Sequence, residues 1–144
     1  MRNVSVLVIA ALFFIPAMSY ASSDDDVIAY RQSLMESLGK DAKALAPMMR
    51  GKVTYDRAIV SEHLNSIADI AQKAQGAFEA AVPGGEASPE IWKNWEDFAS
   101  RFASLEKDAE KVAVLSQEGT KAEVVPQIAK LFVCKSCHDL YRVE

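Results

Sequence analysis

The composition describes an acidic chain of about one domain's length. Its 144 residues carry 20 Asp and Glu against 16 Lys and Arg, a net charge of −4, and half of them are hydrophobic. A chain of this length can bury one modest core. The negative balance argues against nucleic acids and anionic membranes as partners, because both attract basic proteins.

The N-terminal residues have the pattern of an export signal. A basic start precedes an apolar run over residues 4–15, and small side chains occupy both positions that a signal peptidase reads before the bond after Ala21. The alternative, a membrane anchor, needs about 20 apolar residues, more than this run supplies. We therefore expect residues 1–21 to be a cleaved signal peptide and residues 22–144 to be one periplasmic domain with no membrane contact.

Apolar residues recur every three or four positions along the rest of the chain, which predicts amphipathic helices. The first helix follows an acidic cap at residues 24–26 and ends near Gly51. Its apolar stripe contains Ile28, Arg31, Met35, Leu38, Ala42, Leu45 and Met49. The second helix begins near Asp56 and stops at Pro83-Gly84-Gly85, the clearest break in the chain.

Two further helices complete the pattern. The third is predicted to start at Ser88-Pro89-Glu90, with Ser as cap and Pro in the first turn, and to continue to Gly119. The fourth is predicted from about Lys121 through Leu131, Cys134 and His138 to Tyr141 on one stripe. Four helices with short connections predict an all-α, antiparallel four-helix bundle.

The only two cysteines lie in the motif Cys134-Lys135-Ser136-Cys137-His138 near the C-terminus. A structural zinc site takes four ligands, and His63 is the only other histidine. A thioredoxin-like dithiol requires a helix N-terminus after a strand, and no strand is predicted here. A Cys134–Cys137 disulfide suits an exported chain, but it would be strained in a helix and leaves His138 without a role.

Covalent haem attachment uses all three side chains of this motif. Cys134 and Cys137 are one helical turn apart, so both thiols reach one edge of a flat macrocycle as thioethers. His138 projects beside them toward the iron. We therefore predict one haem c, attached through both cysteines with His138 as the proximal ligand, and keep the disulfide as the alternative.

The mature chain resembles the class II c-type cytochromes, the family of cytochrome c′ and cytochrome c556. The resemblance rests on Arg31-Gln32-Ser33-Leu34-Met35, Tyr55-Asp56, Pro89-Glu90-Ile91-Trp92, and the haem motif followed by Tyr141-Arg142. It implies haem c held inside a four-helix bundle and attached near the C-terminus, with His138 on the iron.

The position of Met35 divides this family. In cytochrome c556 a methionine of the first helix binds the sixth site of the iron, whereas in cytochrome c′ the matching residue leaves that site open to nitric oxide or carbon monoxide. Met35 is therefore interpreted as the distal ligand. The alternative is core packing, since methionine fills irregular gaps around a bulky group.

Five further residues are candidates for contact with the haem. Arg31 is a cation on an apolar stripe, and a propionate partner is favoured over exposure at the bundle end. The resemblance also implies a position near the propionates for this arginine. Trp95, Phe98 and Phe102 are expected to form the wall against which the porphyrin packs, or plain core. Arg142 lies near the proximal imidazole or the exposed haem edge, with no role as the alternative.

The leading functional hypothesis is a periplasmic electron carrier with His138 and Met35 on the iron. The protein is not expected to be an enzyme, because its carboxylates are dispersed and form no catalytic grouping. The second hypothesis is a five-coordinate protein that binds nitric oxide or carbon monoxide. The expected partners are redox proteins with basic docking patches, and Ile59 and Ile70 are candidates for a homodimer contact.

Overall fold

The computed structural model describes residues 23–143, and they form six helices. These are α1 (Asp24–Met49), α2 (Arg57–Glu79), α3 (Glu90–Lys93), α4 (Trp95–Glu118), α5 (Lys121–Leu131) and α6 (Cys134–Tyr141). None of them combines the length and the hydropathy of a membrane-spanning segment. The expected signal peptide and its cleavage site lie outside the described residues.

Local capping explains where the first two helices begin and end. Ser23 and Asp26 form a capping box at the start of α1, in which the Ser23 hydroxyl accepts the Asp26 N–H. The Asp56 carboxylate accepts two backbone N–H groups at the start of α2. Gly51 follows α1 with a φ of 68°, a left-handed conformation that glycine adopts readily. The predicted boundaries of α1 and the predicted start of α2 are confirmed.

The third predicted helix is divided at Asn94, so the prediction of one continuous helix to Gly119 is wrong there. Asn94 has φ −120° and ψ 42°, outside the helical region. Its side chain donates to the Glu90 carbonyl, which also accepts the Asn94 backbone N–H. The separate turn α3 allows the Trp92 indole N–H to donate to the Phe78 carbonyl near the end of α2, at 2.9 Å.

The fourth predicted helix is also divided, between α5 and α6. Phe132 has ψ 62° and Val133 has ψ 19°, so both leave the helical conformation. Leu131 is buried in one cluster of core residues and Tyr141 in another. The break turns the two helices toward different parts of the core. It therefore corrects the prediction of one stripe running from Leu131 through His138.

The long helices pack in chain order: α1 on α2, α2 on α4, and α4 on α5. The α3 turn and α6 contact α4 and each other. With α5 and α6 together as the fourth member, this is an all-α four-helix bundle, as predicted. Within residues 23–143, α1 makes no comparable packing with α5 or α6. The helices that carry Met35 and His138 are therefore positioned through other elements.

Buried side chains form two clusters, and Leu38 and Leu105 pack against both. The remote cluster consists of Leu45, Met48, Val60, Leu64, Ile67, Ala68, Ala109, Val112, Ala113, Val124, Ile128 and Leu131. The site cluster consists of Leu34, Ile70, Ala71, Ala74, Phe78, Ile91, Phe98, Phe102 and Tyr141. Because Ile70 is buried there, only Ile59 of the two candidate dimer positions is exposed.

Arg31, on α1, is a buried cation with 3% of its surface exposed, and its side chain reaches the C-terminal end of α2. Its Nε donates to the Ala77 carbonyl at 2.9 Å, and its two amino groups donate to the carbonyls of Ala80 and Val82 at 2.7 and 2.6 Å. The guanidinium carbon also lies 4.7 Å from the centre of the Phe78 ring. Burial lowers the pKa of Arg31. The three carbonyls supply the acceptors that a buried cation needs.

Arg31→Met is expected to lower the free energy of unfolding by about 3 kcal/mol, because three carbonyls lose a buried donor. Urea unfolding of the haem-loaded protein, followed by far-ultraviolet circular dichroism, measures the loss. Lys40→Met is the control, since the Lys40 side chain is 70% exposed and pairs only with Glu36. Its effect should stay below about 0.5 kcal/mol. Equal effects of the two substitutions would show that the Arg31 hydrogen bonds contribute little.

Candidate haem site

Helix α6 carries the three residues of the attachment motif within five positions. Cys134 and His138 are exposed and Cys137 is half-buried, and both cysteines are free thiols. Residues three and four positions apart on a helix are neighbours on its surface. The two thiols and the imidazole therefore lie side by side on α6, as the motif predicts.

The C-terminal end of α6 is fastened to α4 through Tyr141, which is buried. The Tyr141 hydroxyl donates to the Asp97 carboxylate, and Arg101 Nε donates to the same carboxylate at 2.7 Å. These two donors, Arg101 first, lower the pKa of Asp97. The hydrogen bond to Asp97 raises the pKa of Tyr141. The Tyr141 ring also packs edge-on against Phe98, with the ring centres 5.1 Å apart.

The environment of the half-buried Cys137 favours the neutral thiol over the thiolate. Burial raises the pKa of Cys137, while the nearby Arg101 guanidinium opposes the shift. Redox dithiols instead depend on a cysteine whose pKa is lowered. Cys134 begins α6, so the structure places it at a helix N-terminus, but within residues 23–143 no strand precedes it as the thioredoxin-like arrangement requires.

Met35 lies on α1 and packs against the site cluster together with Cys137 of α6. Its neighbour Leu34 is buried, whereas Met35 is half-buried. Leu34 therefore supplies the apolar core contact here. A thioether sulfur at Met35 shares a cluster with the attachment helix.

The three aromatic residues predicted to line the haem are brought together on α4. Phe98 and Phe102 are buried in the site cluster, and Trp95 packs against it. The Phe98 ring centre lies 5.2 Å from that of Phe102 and 5.9 Å from that of Trp95. The predicted grouping is confirmed, and contact with the porphyrin stays a prediction.

The two arginines predicted to approach the haem have protein partners in the structure. Arg31 donates to three backbone carbonyls, so its need for acceptors is met without an anion. The Arg142 guanidinium pairs with Glu86 at 2.7 Å, and its backbone N–H donates to the His138 carbonyl at 3.1 Å. A propionate contact for Arg31 and a role for Arg142 beside the imidazole stay predictions.

Sequence reasoning missed Asp97, Arg101 and Glu86. Asp97 and Arg101 are four residues apart on one helix, a spacing that signals an ion pair. That spacing does not indicate that Tyr141 would share the carboxylate, because this contact joins residues 44 positions apart. Glu86 follows two glycines in a connection, and no local pattern marks its pairing with Arg142.

The donor set on the described helices fits a covalently attached haem. Two neighbouring free thiols are suited to thioether formation, an adjacent imidazole suits the iron, and the methionine that packs against the same cluster carries a thioether sulfur, a donor type that also binds haem iron. Buried aromatic side chains supply an apolar wall. Fold and site together define a four-helix-bundle c-type cytochrome.

Comparison with known proteins identifies the family. The model of the family described as Cytochrome C' matches residues 26–142. A cytochrome c' of Rhodopseudomonas palustris is 32% identical over 87% of this chain and 87% of its own. A cytochrome c-556 of Agrobacterium tumefaciens (strain II Chrys) is 32% identical over 79% of this chain and 94% of its own. The cytochrome c prime structure from Shewanella frigidimarina is 25% identical, with a TM-score of 0.75 over 86% of this chain and 99% of that one.

The chain belongs to the cytochrome c′ family, and the resemblance stated from its sequence is confirmed. Proteins of this family bind covalently attached haem c, which is the cofactor expected from the motif. Relatives named cytochrome c' and cytochrome c-556 match the chain at the same level of identity. Family membership therefore leaves open which ligand occupies the sixth site.

Proposed function

We propose that this chain is a periplasmic electron carrier in which Cys134 and Cys137 hold the haem, His138 is the proximal ligand and Met35 the distal one. The observation that carries the proposal is the packing of Met35, on α1, in the same cluster as Cys137, on α6. His138 would hold the iron from α6, and Met35 would supply a second ligand from α1, a different helix of the same bundle.

Each of the proposed site residues has a distinct role in electron transfer. The haem iron, when bound, accepts and releases one electron. His138 contributes an imidazole nitrogen and Met35 a thioether sulfur, a pair that raises the reduction potential. Because both belong to helices of a packed bundle, they keep their positions in both oxidation states, and little reorganisation opposes the transfer. Phe98 and Phe102, which are buried in the site cluster, would keep water away from one side of the haem.

The second candidate is a five-coordinate protein that binds nitric oxide or carbon monoxide. It is favoured by the relatives named cytochrome c'. If Met35 only packs, the apolar residues around it would admit small uncharged gases and exclude larger or charged ligands. Neither candidate requires a group that transfers protons, so we expect no enzymatic activity from this site.

An optical spectrum of the purified, haem-loaded protein tests the proposal. It is recorded oxidised, reduced, and reduced under carbon monoxide. We expect low-spin spectra in both oxidation states and little change with carbon monoxide, because Met35 occupies the sixth site. A high-spin spectrum that shifts promptly with carbon monoxide would support the second candidate and contradict ligation by Met35.

The partners and location follow from charge and from the N-terminal sequence. A net charge of −4 favours redox partners that present basic docking patches. Haem attachment and the N-terminal export pattern both fit the periplasm. Ile59, exposed on α2, is the position we propose for any homodimer contact.

A further inference from the structure

The connection between α2 and α3, residues 80–89, makes close contacts with α1. Arg31 donates to the carbonyls of Ala80 and Val82. Gly84 lies so close to the Ile28 side chain that a Cβ at this position would collide with it, and its φ of 135° favours glycine as well. One side of this connection is therefore fixed to the first helix of the bundle.

The same connection is hydrogen bonded to the chain immediately after α6. The Ser88 N–H donates to the Tyr141 carbonyl at 3.0 Å, and the Val143 N–H donates to the Glu86 carbonyl at 2.9 Å. Ala87 forms an antiparallel bridge with Arg142, whose guanidinium pairs with Glu86 at 2.7 Å. The other side is therefore fixed to the end of α6.

We propose that the α2–α3 connection sets the spacing between α1 and α6 and thereby determines whether Met35 reaches an iron held by His138. The two helices do not pack extensively on each other within residues 23–143, and the α2–α3 connection is an element bonded directly to both α1 and the end of α6. The link between the spacing and the iron rests on the proposed function. The spacing itself does not.

The contacts lie close enough to the two ligands to control them. Arg31 is four residues before Met35, about 6 Å along a helix axis, and Tyr141 is three residues after His138. If the connection shifts one end of either helix, the ligand on that helix shifts with it, because backbone hydrogen bonds keep the rise per residue constant. A change in the length of the connection should therefore move one ligand relative to the other.

The test is an insertion of two glycines between Gly84 and Gly85. The control is the same insertion between Gly51 and Lys52, exposed residues in the connection between α1 and α2. Either insertion costs little through loop entropy alone, so both variants should fold. Urea unfolding of each haem-loaded variant checks that their stabilities are comparable.

Two readouts separate the spacing from its consequence. The first is the distance between nitroxide labels on Glu36→Cys in α1 and Leu140→Cys in α6, both exposed positions, measured by pulsed electron paramagnetic resonance. Ferrous protein under carbon monoxide is used, because low-spin ferrous iron is diamagnetic whether its sixth ligand is Met35 or carbon monoxide. The second readout is the ferric spin state together with the rate of carbon monoxide binding in unlabelled protein.

We expect the Gly84–Gly85 insertion to lengthen or broaden the distribution of label distances and to add a high-spin component to the ferric spectrum. Carbon monoxide binding should become about tenfold faster, because Met35 occupies the sixth site for a smaller fraction of the time. The control insertion should leave all three unchanged. An unchanged distance would overturn the proposal. A changed distance with an unchanged low-spin spectrum would overturn the control of ligation. If the unaltered protein is already high-spin, the proposed function fails, and the distance alone decides the role of the connection.

Discussion

Met35→Leu is expected to keep its haem attached and to convert a low-spin, six-coordinate spectrum into a high-spin one. Leucine is similar to methionine in volume, so the site cluster stays filled while the sulfur is lost. If Met35 closes the sixth site nine-tenths of the time or more, its loss raises the apparent affinity for carbon monoxide by about tenfold or more. Carbon monoxide titration of the reduced protein measures this change.

Met48→Leu is the matched control for this substitution. Met48 lies on the same helix but is buried in the remote cluster, so its replacement should alter neither the spin state nor the affinity for carbon monoxide. The reduction potential of Met35→Leu should also fall, because a thioether ligand stabilises the reduced iron. Unchanged spectra and affinity in Met35→Leu would assign this residue to packing and contradict ligation by Met35.

The double substitution Cys134→Ser, Cys137→Ser is expected to abolish covalent haem. A hydroxyl does not form the thioether bonds for which two free, neighbouring thiols are suited. Any haem that remains should depend on His138 and the apolar wall and should be removed by acidified organic solvent. Intact mass spectrometry and haem staining of denaturing gels measure the loss.

Ser136→Ala is the control within the same motif, because Ser136 is exposed and its hydroxyl only contacts the Val133 carbonyl in the preceding turn. It should retain one covalent haem. Covalent haem in the double variant would exclude both cysteines as attachment points. A colourless unaltered protein without titratable thiols would instead establish the Cys134–Cys137 disulfide.

The sequence was sufficient to predict α1 and the start of α2 because both helices repeat their apolar positions and begin at recognisable caps. It was also sufficient for the attachment motif, whose residues lie within one and a half helical turns. The breaks at Asn94 and at Phe132–Val133 were not predictable from periodicity, because the apolar stripe continues through both. They depend on tertiary contacts, such as the hydrogen bond from Trp92 to the Phe78 carbonyl.

The hydrogen-bond partners of buried polar groups also could not be predicted from the sequence. A cation on an apolar stripe requires acceptors, and the sequence pointed to an anion for Arg31. The structure supplies three carbonyls that become available only when α2 ends beside α1. The pairing of Tyr141 with Asp97 is likewise a consequence of how two distant helices meet. Sequence spacing carries no information on such contacts.

The division of the core into a remote cluster and a site cluster also has an evolutionary consequence. Leu45, Leu64, Val124 and Ile128 have no exposed surface, and all belong to the remote cluster, whereas Met35 and Cys137 border the site cluster. Mutations beside Met35 and Cys137 therefore leave the remote cluster intact. Such a scaffold can explore different sixth ligands without first losing its fold. Relatives bearing two different cytochrome names match this one chain along most of its length, as a fold tolerant of change at one end would allow.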